Sequence, residues 1–213
     1  MMKIDELIRD DHFYLNENDH CFYMGEYTPR KGATYSKTNQ LILNFKKSLE
    51  KKGRPEYAYK GRAIEQIAGL IRSQKFDLDK VTFIPVPPSK NKNDPLYDDR
   101  LIRVLESYNK SAGGMVDYRE IITQTESTEA FHDAEQRPKP DDLMDIYRVD
   151  VGKCKDVKES IIIFDDMITS GCHFRACKDL LAPIFPGKEI FGVFVARRLV
   201  ISPFENIDSW IDP

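Results

Sequence analysis

What this chain lacks narrows its class. Its 213 residues include four cysteines, Cys21, Cys154, Cys172 and Cys177. No two of them form a CxxC pair, so the spacing of a zinc ribbon is missing. Cys172 and Cys177, close together and alone, suggest no disulfide framework, and reduced thiols are expected. Long apolar runs are missing too. None approaches the roughly 20 residues that a membrane-crossing helix needs, and the opening MMKIDELIRDDHFYL has none of the regions of a secretory signal. A cytoplasmic protein without a membrane partner is the expectation. Neither sign of charge dominates: 32 Lys and Arg stand against 35 Asp and Glu, for a net charge of -3. No global basic field points to nucleic acid as a direct partner. There is no internal repeat, no low-complexity tract and no GxGxxG, HExxH or GxSxG. Gly32 to Thr38 ends in SKT but lacks the glycine that a P-loop places before its lysine.

What is present reads as a globular chain, with 41% hydrophobic and 31% charged residues. HFYL and CFYMGEY flank the polar tetrapeptide NEND and predict a β-hairpin. Leu41, Ile42, Phe45 and Leu49 fall at helical spacing, and Gly53 is placed to stop that helix. Gly61 to Gln74 predicts another helix, with Ile64, Ile67, Ala68 and Ile71 on one face. From residue 81 strands and helices alternate. VTFIPVPP is a strand ended by prolines; Asp98 or Asp99 could cap a helix over LIRVLESYNK; VDYREIIT is a second strand. ESIIIF is a third, with a helix over 174–181 after it, and EIFGVFVAR a fourth. The segment 123–145 between them is polar and long, a loop of the kind that carries function or moves. The pattern predicts an α/β fold, a mostly parallel twisted sheet flanked by helices. Its expected parts are an N-terminal hairpin and helix segment, 1–60, serving as a hood, and an α/β domain, 61–213.

The most informative stretch is IIIFDDMITSGCH, residues 161–173. A continuous apolar strand belongs in the middle of a parallel sheet, and ligands of such sheets bind beyond the strands' carboxyl ends. Asp165 and Asp166 are expected at that end. Two adjacent carboxylates there repel and lose hydration, so a cation or a donor-rich ligand such as a sugar should compensate. Thr169, Ser170, Gly171, Cys172 and His173 then lead into a helix, whose N-terminal amides suit a phosphate. Acids for sugar hydroxyls beside amides for a phosphate describe a receptor for a ribose 5-phosphate.

That run resembles the phosphoribosyl pyrophosphate (PRPP) motif of type I phosphoribosyltransferases. The resemblance implies that Asp165 and Asp166 are the catalytic acids that hold the ribose 2′- and 3′-hydroxyls, and that Thr169 to His173 cradle the 5-phosphate. Cys172 stands where a small residue is usual and His173 where threonine is. The loop after the first core strand would take the pyrophosphate through Ser89 and Lys90, with Lys92 adding charge, because Pro85, Pro87 and Pro88 have no N–H. Segment 123–145, with Arg137 and Lys139, would be the flexible loop that closes over PRPP. IPVPPS, AEQRPKPDDL before IYRVD, and LILNFKK narrow the resemblance to the ComF-like branch, without that branch's N-terminal zinc cysteines. The implied activity is a pentosyl-class glycosyltransferase of nucleotide metabolism. It would move the 5-phosphoribosyl group to a nitrogen nucleophile and release pyrophosphate. Mg²⁺ would be bound through PRPP with no metal ligands from the protein, and a homodimer is left open. The alternatives are a non-catalytic sensor of PRPP or a nucleotide, and an accessory factor in DNA uptake or processing. Arg197 and Arg198 read as an exposed basic pair, and Tyr57, Tyr59 and Lys60 as surface or hood packing.

Overall fold

The computed structural model describes residues 1–128 and 138–200. Arg137, expected in the closing loop, lies outside the described residues. Three apolar runs build the centre of the molecule: β3 (Val81–Pro85), β7 (Ser160–Ile168) and β8 (Glu189–Arg198). Most of their side chains are buried on both faces, as near-continuous hydrophobic strands require. With β1 (Met2–Lys3), β2 (His20–Tyr27) and β4 (Asp117–Tyr118) they form a six-stranded sheet ordered β1-β2-β8-β7-β3-β4. Only the β1–β2 pair is antiparallel. Helices α1 (Lys37–Phe45), α2 (Ala58–Ser73), α3 (Arg100–Ser111) and α5 (Cys172–Leu181) flank it. The apolar face read for the second of these is buried as expected, through Ile64, Ile67, Ala68 and Ile71. The mostly parallel, helix-flanked α/β architecture is therefore present.

Four local expectations change. The N-terminal hairpin does not form. Arg9–His12 is a 3₁₀ turn, and β2 joins the main sheet, parallel to β8. The reason is tertiary: the Tyr14 N–H donates to the Ser170 carbonyl (3.0 Å), and buried Asp19 pairs with Arg175 and with Lys178 (2.7 Å), so HFYL and NEND are held by α5 and its loop. Within residues 1–60, β1 and β2 thus lie in the main sheet. The first helix ends at Phe45 rather than near Gly53, because buried Lys60 takes the carbonyls of Phe45 (3.0 Å) and Lys47 (2.9 Å); Leu49 begins a separate 3₁₀ turn.

VDYREIIT is split. Its first part is β4, while β5 (Ile122–Gln124) pairs with β6 (Tyr147–Val149) in a separate antiparallel ribbon. Arg119 makes the break, binding the Asp117 carboxylate and the carbonyls of Lys153 (3.2 Å) and Asp156 (3.0 Å). Part of the expected loop is helix α4 (Pro140–Ile146), with proline in its first turn and the Lys139 N–H donating to Asp142 (2.8 Å).

Gly192 sets how closely β8 packs. A Cβ there would stand 2.8 Å from Cys21 Sγ, 2.9 Å from the Phe194 ring and 3.0 Å from the Phe174 ring. Gly192→Ala should cost about 1–3 kcal/mol through overpacking. Thermal denaturation should show Tm falling by roughly 2–4 °C per kcal/mol, and an unchanged Tm would mean that this layer is slack.

Candidate functional site

The register of the central strands opens a cleft. β3 pairs with β7 only as far as Pro85 opposite Phe164, whereas β8 follows β7 to Arg197 opposite Ile168. The third strand therefore does not stop at the acids. It runs through them because β8 continues beside it, and Asp165 and Asp166 lie past the end of β3. The space beyond β3 is a cleft of about 810 Å³, walled by both acids, Thr169, Ser170, Cys172, His173, Ser89 and Lys90. Sequence-separated candidates are thus brought together. Gly171 stays buried behind the wall, and Lys139 is in the α4 cap, with its neighbour Pro138 on the wall instead.

The two acids are not equivalent. Asp166 is 4% exposed. Its Oδ1 is 3.0 Å from Lys46 Nζ, and its Oδ2 accepts from Arg100 Nη2 (2.6 Å) and Nε (3.1 Å). The contacts continue: Arg100 Nη1 donates to Asp98 Oδ2 (2.8 Å), which also accepts from Lys60 Nζ (2.7 Å). Lys60 is 1% exposed, so its surface reading is overturned. Asp99 stands at the N-cap of α3, and neither it nor Asp98 caps the helix through its side chain. Burial alone would raise the Asp166 pKa, but Lys46 and Arg100 outweigh it and hold the carboxyl well below the usual range.

Asp165 is half-buried and has no salt-bridge partner among the described residues. Its Oδ1 accepts the Asp166 N–H (2.7 Å). Burial, and then the neighbouring Asp166 charge, push it up to about 7. His173 Nδ1 lies 2.7 Å from the Tyr147 hydroxyl, and burial lowers this imidazole to about 4.

The 169–171 loop is held from behind. His12, fully buried, bonds the Thr169 carbonyl through Nδ1, and the Tyr14 N–H takes the Ser170 carbonyl. In a trans peptide C=O and N–H point in opposite directions. Tethering those two carbonyls to the N-terminal segment therefore turns the N–H groups of Ser170 and Gly171 away from that segment. The first N–H groups of α5 add to them, since a helix start has no internal acceptors. Gly171 is required twice over: its φ is +84°, and a Cβ would meet Leu15 at 3.1 Å.

On the opposite loop the Val86 N–H is taken by the Phe164 carbonyl (2.9 Å), and Pro87 and Pro88 have none, which leaves the amides of Ser89 and Lys90. Lys92 is neutralised by Glu120 at 2.6 Å. Arg197 is not exposed: it is 6% accessible and pairs with Asp11 (3.0 Å) and Glu26 (3.1 Å), whereas Arg198 reaches the cleft.

Sequence reasoning missed His12, Tyr14, Lys46, Asp98, Arg100 and Tyr147. One signal was available for their network. Lys60 stands four, seven and eleven residues before Ile64, Ile67 and Ile71, on the apolar stripe of α2, where a lysine requires a buried partner. Compared with known proteins, the chain matches no family model and no curated protein.

The difference between the acids has a pH signature. Folded Asp165 binds its proton up to about 7, whereas an unfolded Asp releases it near pH ~4. Between those values the folded state binds more protons, so this group's contribution to stability falls as pH rises. Asp165→Asn removes that loss. In urea denaturation the variant's advantage over wild type should be least near pH ~4 and grow until about pH 7. A pH-independent difference would show that Asp165 titrates as an ordinary carboxylate.

Proposed function

We propose that this cleft binds the ribose 5-phosphate portion of PRPP, and that the protein transfers it to a nitrogen nucleophile with release of pyrophosphate. The observation that carries this reading is the tethered loop, its carbonyls held by the N-terminal segment and Thr169 and Ser170 on the cleft wall, beside an acid that has no ion-pair partner among the described residues. The 5-phosphate would sit on the amides of Ser170, Gly171 and the first turn of α5. Asp165, ionised, would accept from the ribose hydroxyls. Asp166, bound to Lys46 and Arg100, would hold its neighbour in place and contribute negative charge near the anomeric carbon. The departing pyrophosphate would meet the amides of Ser89 and Lys90.

In the reaction the bond from the anomeric carbon to the pyrophosphate oxygen breaks with its electron pair. The nitrogen lone pair forms the new bond, and the nitrogen's proton leaves to solvent. Among the described residues no three His, Cys, Asp or Glu gather as a metal-ligand set, and both Asp166 oxygens already face cations. The residues therefore do not fit a resident metal, and Mg²⁺ would arrive as part of the substrate, on its diphosphate. The protein's contribution is positioning and fixed dipoles.

One observation favours a second reading, a PRPP or nucleotide sensor without turnover. The ion pairs on Asp166 leave one acid where the resemblance expects two for the sugar.

Calorimetric titration with ribose 5-phosphate and with PRPP plus Mg²⁺ tests both readings. Saturable binding is expected. Asp165→Asn should weaken it about tenfold or more, the worth of a charge-assisted hydrogen bond of roughly 1.5–3 kcal/mol. Pyrophosphate release with a nitrogen acceptor distinguishes the enzyme from the sensor. Failure of the wild-type protein to bind either ligand would sink both.

A further inference from the structure

Tyr147 opens β6 directly after α4, and its side chain is 1% exposed. Among the described residues its hydroxyl has one hydrogen-bond partner, His173 Nδ1 at 2.7 Å. Burial, with Cys177 and Asp165 nearby, holds the phenol well above its usual pKa, so the hydroxyl keeps its hydrogen. A phenol has one hydrogen to give. If Nδ1 carried the ring hydrogen and donated to Tyr147, the phenol's own hydrogen would be buried with no acceptor, an arrangement that folded proteins avoid. The bond therefore runs from the Tyr147 O–H to Nδ1.

A neutral imidazole that accepts at Nδ1 carries its hydrogen on Nε2. Burial keeps the ring neutral by lowering its pKa to about 4. Nε2 makes no hydrogen bond among the described residues, yet it is not one of the buried unpartnered atoms there, which are His12 Nε2, Asp98 Oδ1 and Arg197 Nε. Since His173 forms part of the cleft wall, the nitrogen turned away from Tyr147 is the one open to the cleft.

We propose that Tyr147 is a positioning residue that locks His173 as the Nε2–H tautomer, so that an uncharged, directed N–H faces the cleft as a donor to a phosphate oxygen. The identity of that anion rests on the ribose 5-phosphate reading; the tautomer does not. Nothing in the motif indicated the pair, because Tyr147 is 26 residues before His173 and in the β5–β6 ribbon, whereas His173 is in α5.

Nitrogen-15 spectra of the histidine-labelled protein at neutral pH test the tautomer before any ligand is added. The expected pattern for His173 is an unprotonated, hydrogen-bonded Nδ1 and a protonated Nε2. Tyr147→Phe, shown to be folded by circular dichroism, should lose that fixed pattern. It should bind ribose 5-phosphate about tenfold more weakly than wild type, and His173→Phe should match it. In the wild type, ribose 5-phosphate should shift the Nε2–H resonance. A wild-type spectrum with the hydrogen on Nδ1 overturns the proposal whatever the variants do, including a Tyr147→Phe that fails to fold. An unchanged tautomer and unchanged affinity in Tyr147→Phe overturns it as well. If the tautomer is as expected and depends on Tyr147, but wild type binds neither ribose 5-phosphate nor PRPP with Mg²⁺, the positioning role is upheld and the proposed function falls.

Discussion

An alternating line of charge, Lys60–Asp98–Arg100–Asp166–Lys46, decides how the parts of this molecule meet. It begins inside α2, passes the start of α3, reaches the C-terminal part of β7 and ends just past α1. Each member is placed by the one before it. Lys60 cannot stay charged in the core without acceptors, so it gathers Asp98 and the carbonyls that terminate α1. Those contacts bring Lys46 to Asp166. Such a network gives little net stability, because desolvation offsets much of the attraction, but losing one member strands the others. Its structural effect is specificity of arrangement: it fixes where one helix stops and where the next begins.

The same network breaks the symmetry of two adjacent aspartates. With its cations in place Asp166 stays ionised, and its charge, added to burial, raises Asp165. One acid is structural in its bonding and electrostatic in its effect. The other has an oxygen that no side chain among the described residues engages. A motif written as two like residues is, in space, two different groups, and the difference comes from Lys46 and Arg100, far away in the sequence.

The sequence made legible whatever is local. The apolar periods of α2, β3, β7 and β8, the cleft-wall positions of Thr169, Ser170, Cys172 and His173 and the amides left after three prolines all follow from near neighbours. Long-range choices were hidden. HFYL has the composition of a strand, and only the presence of the 169–171 loop explains why its backbone serves Ser170 instead of a hairpin partner. VDYREIIT looks continuous until Arg119 finds acceptors more than thirty residues away. The turn beyond Phe45 depends on a lysine fifteen residues later. In each case a polar group satisfied at long range outweighed local propensity, which is the usual way that propensity loses.

These contacts also explain the kind of donor that the cleft can hold beside Asp166. A cationic side chain in the place of His173 would compete with Lys46 and Arg100 for the same carboxylate and disturb the line of charge. A neutral donor would not. Burial lowers the His173 pKa, Lys46 lowers it further, and the opposing pull of Asp166 is too weak to restore the proton. Backbone amides have the same virtue, carrying directed partial charge without a counterion of their own. On the proposed reading the phosphate would meet dipoles held by neighbours: peptide groups tethered by His12 and Tyr14, and an imidazole bonded to Tyr147. Lys46, Arg100 and Asp166 pair their charges with one another, while Lys90 and Arg198 stand on the cleft wall outside that network.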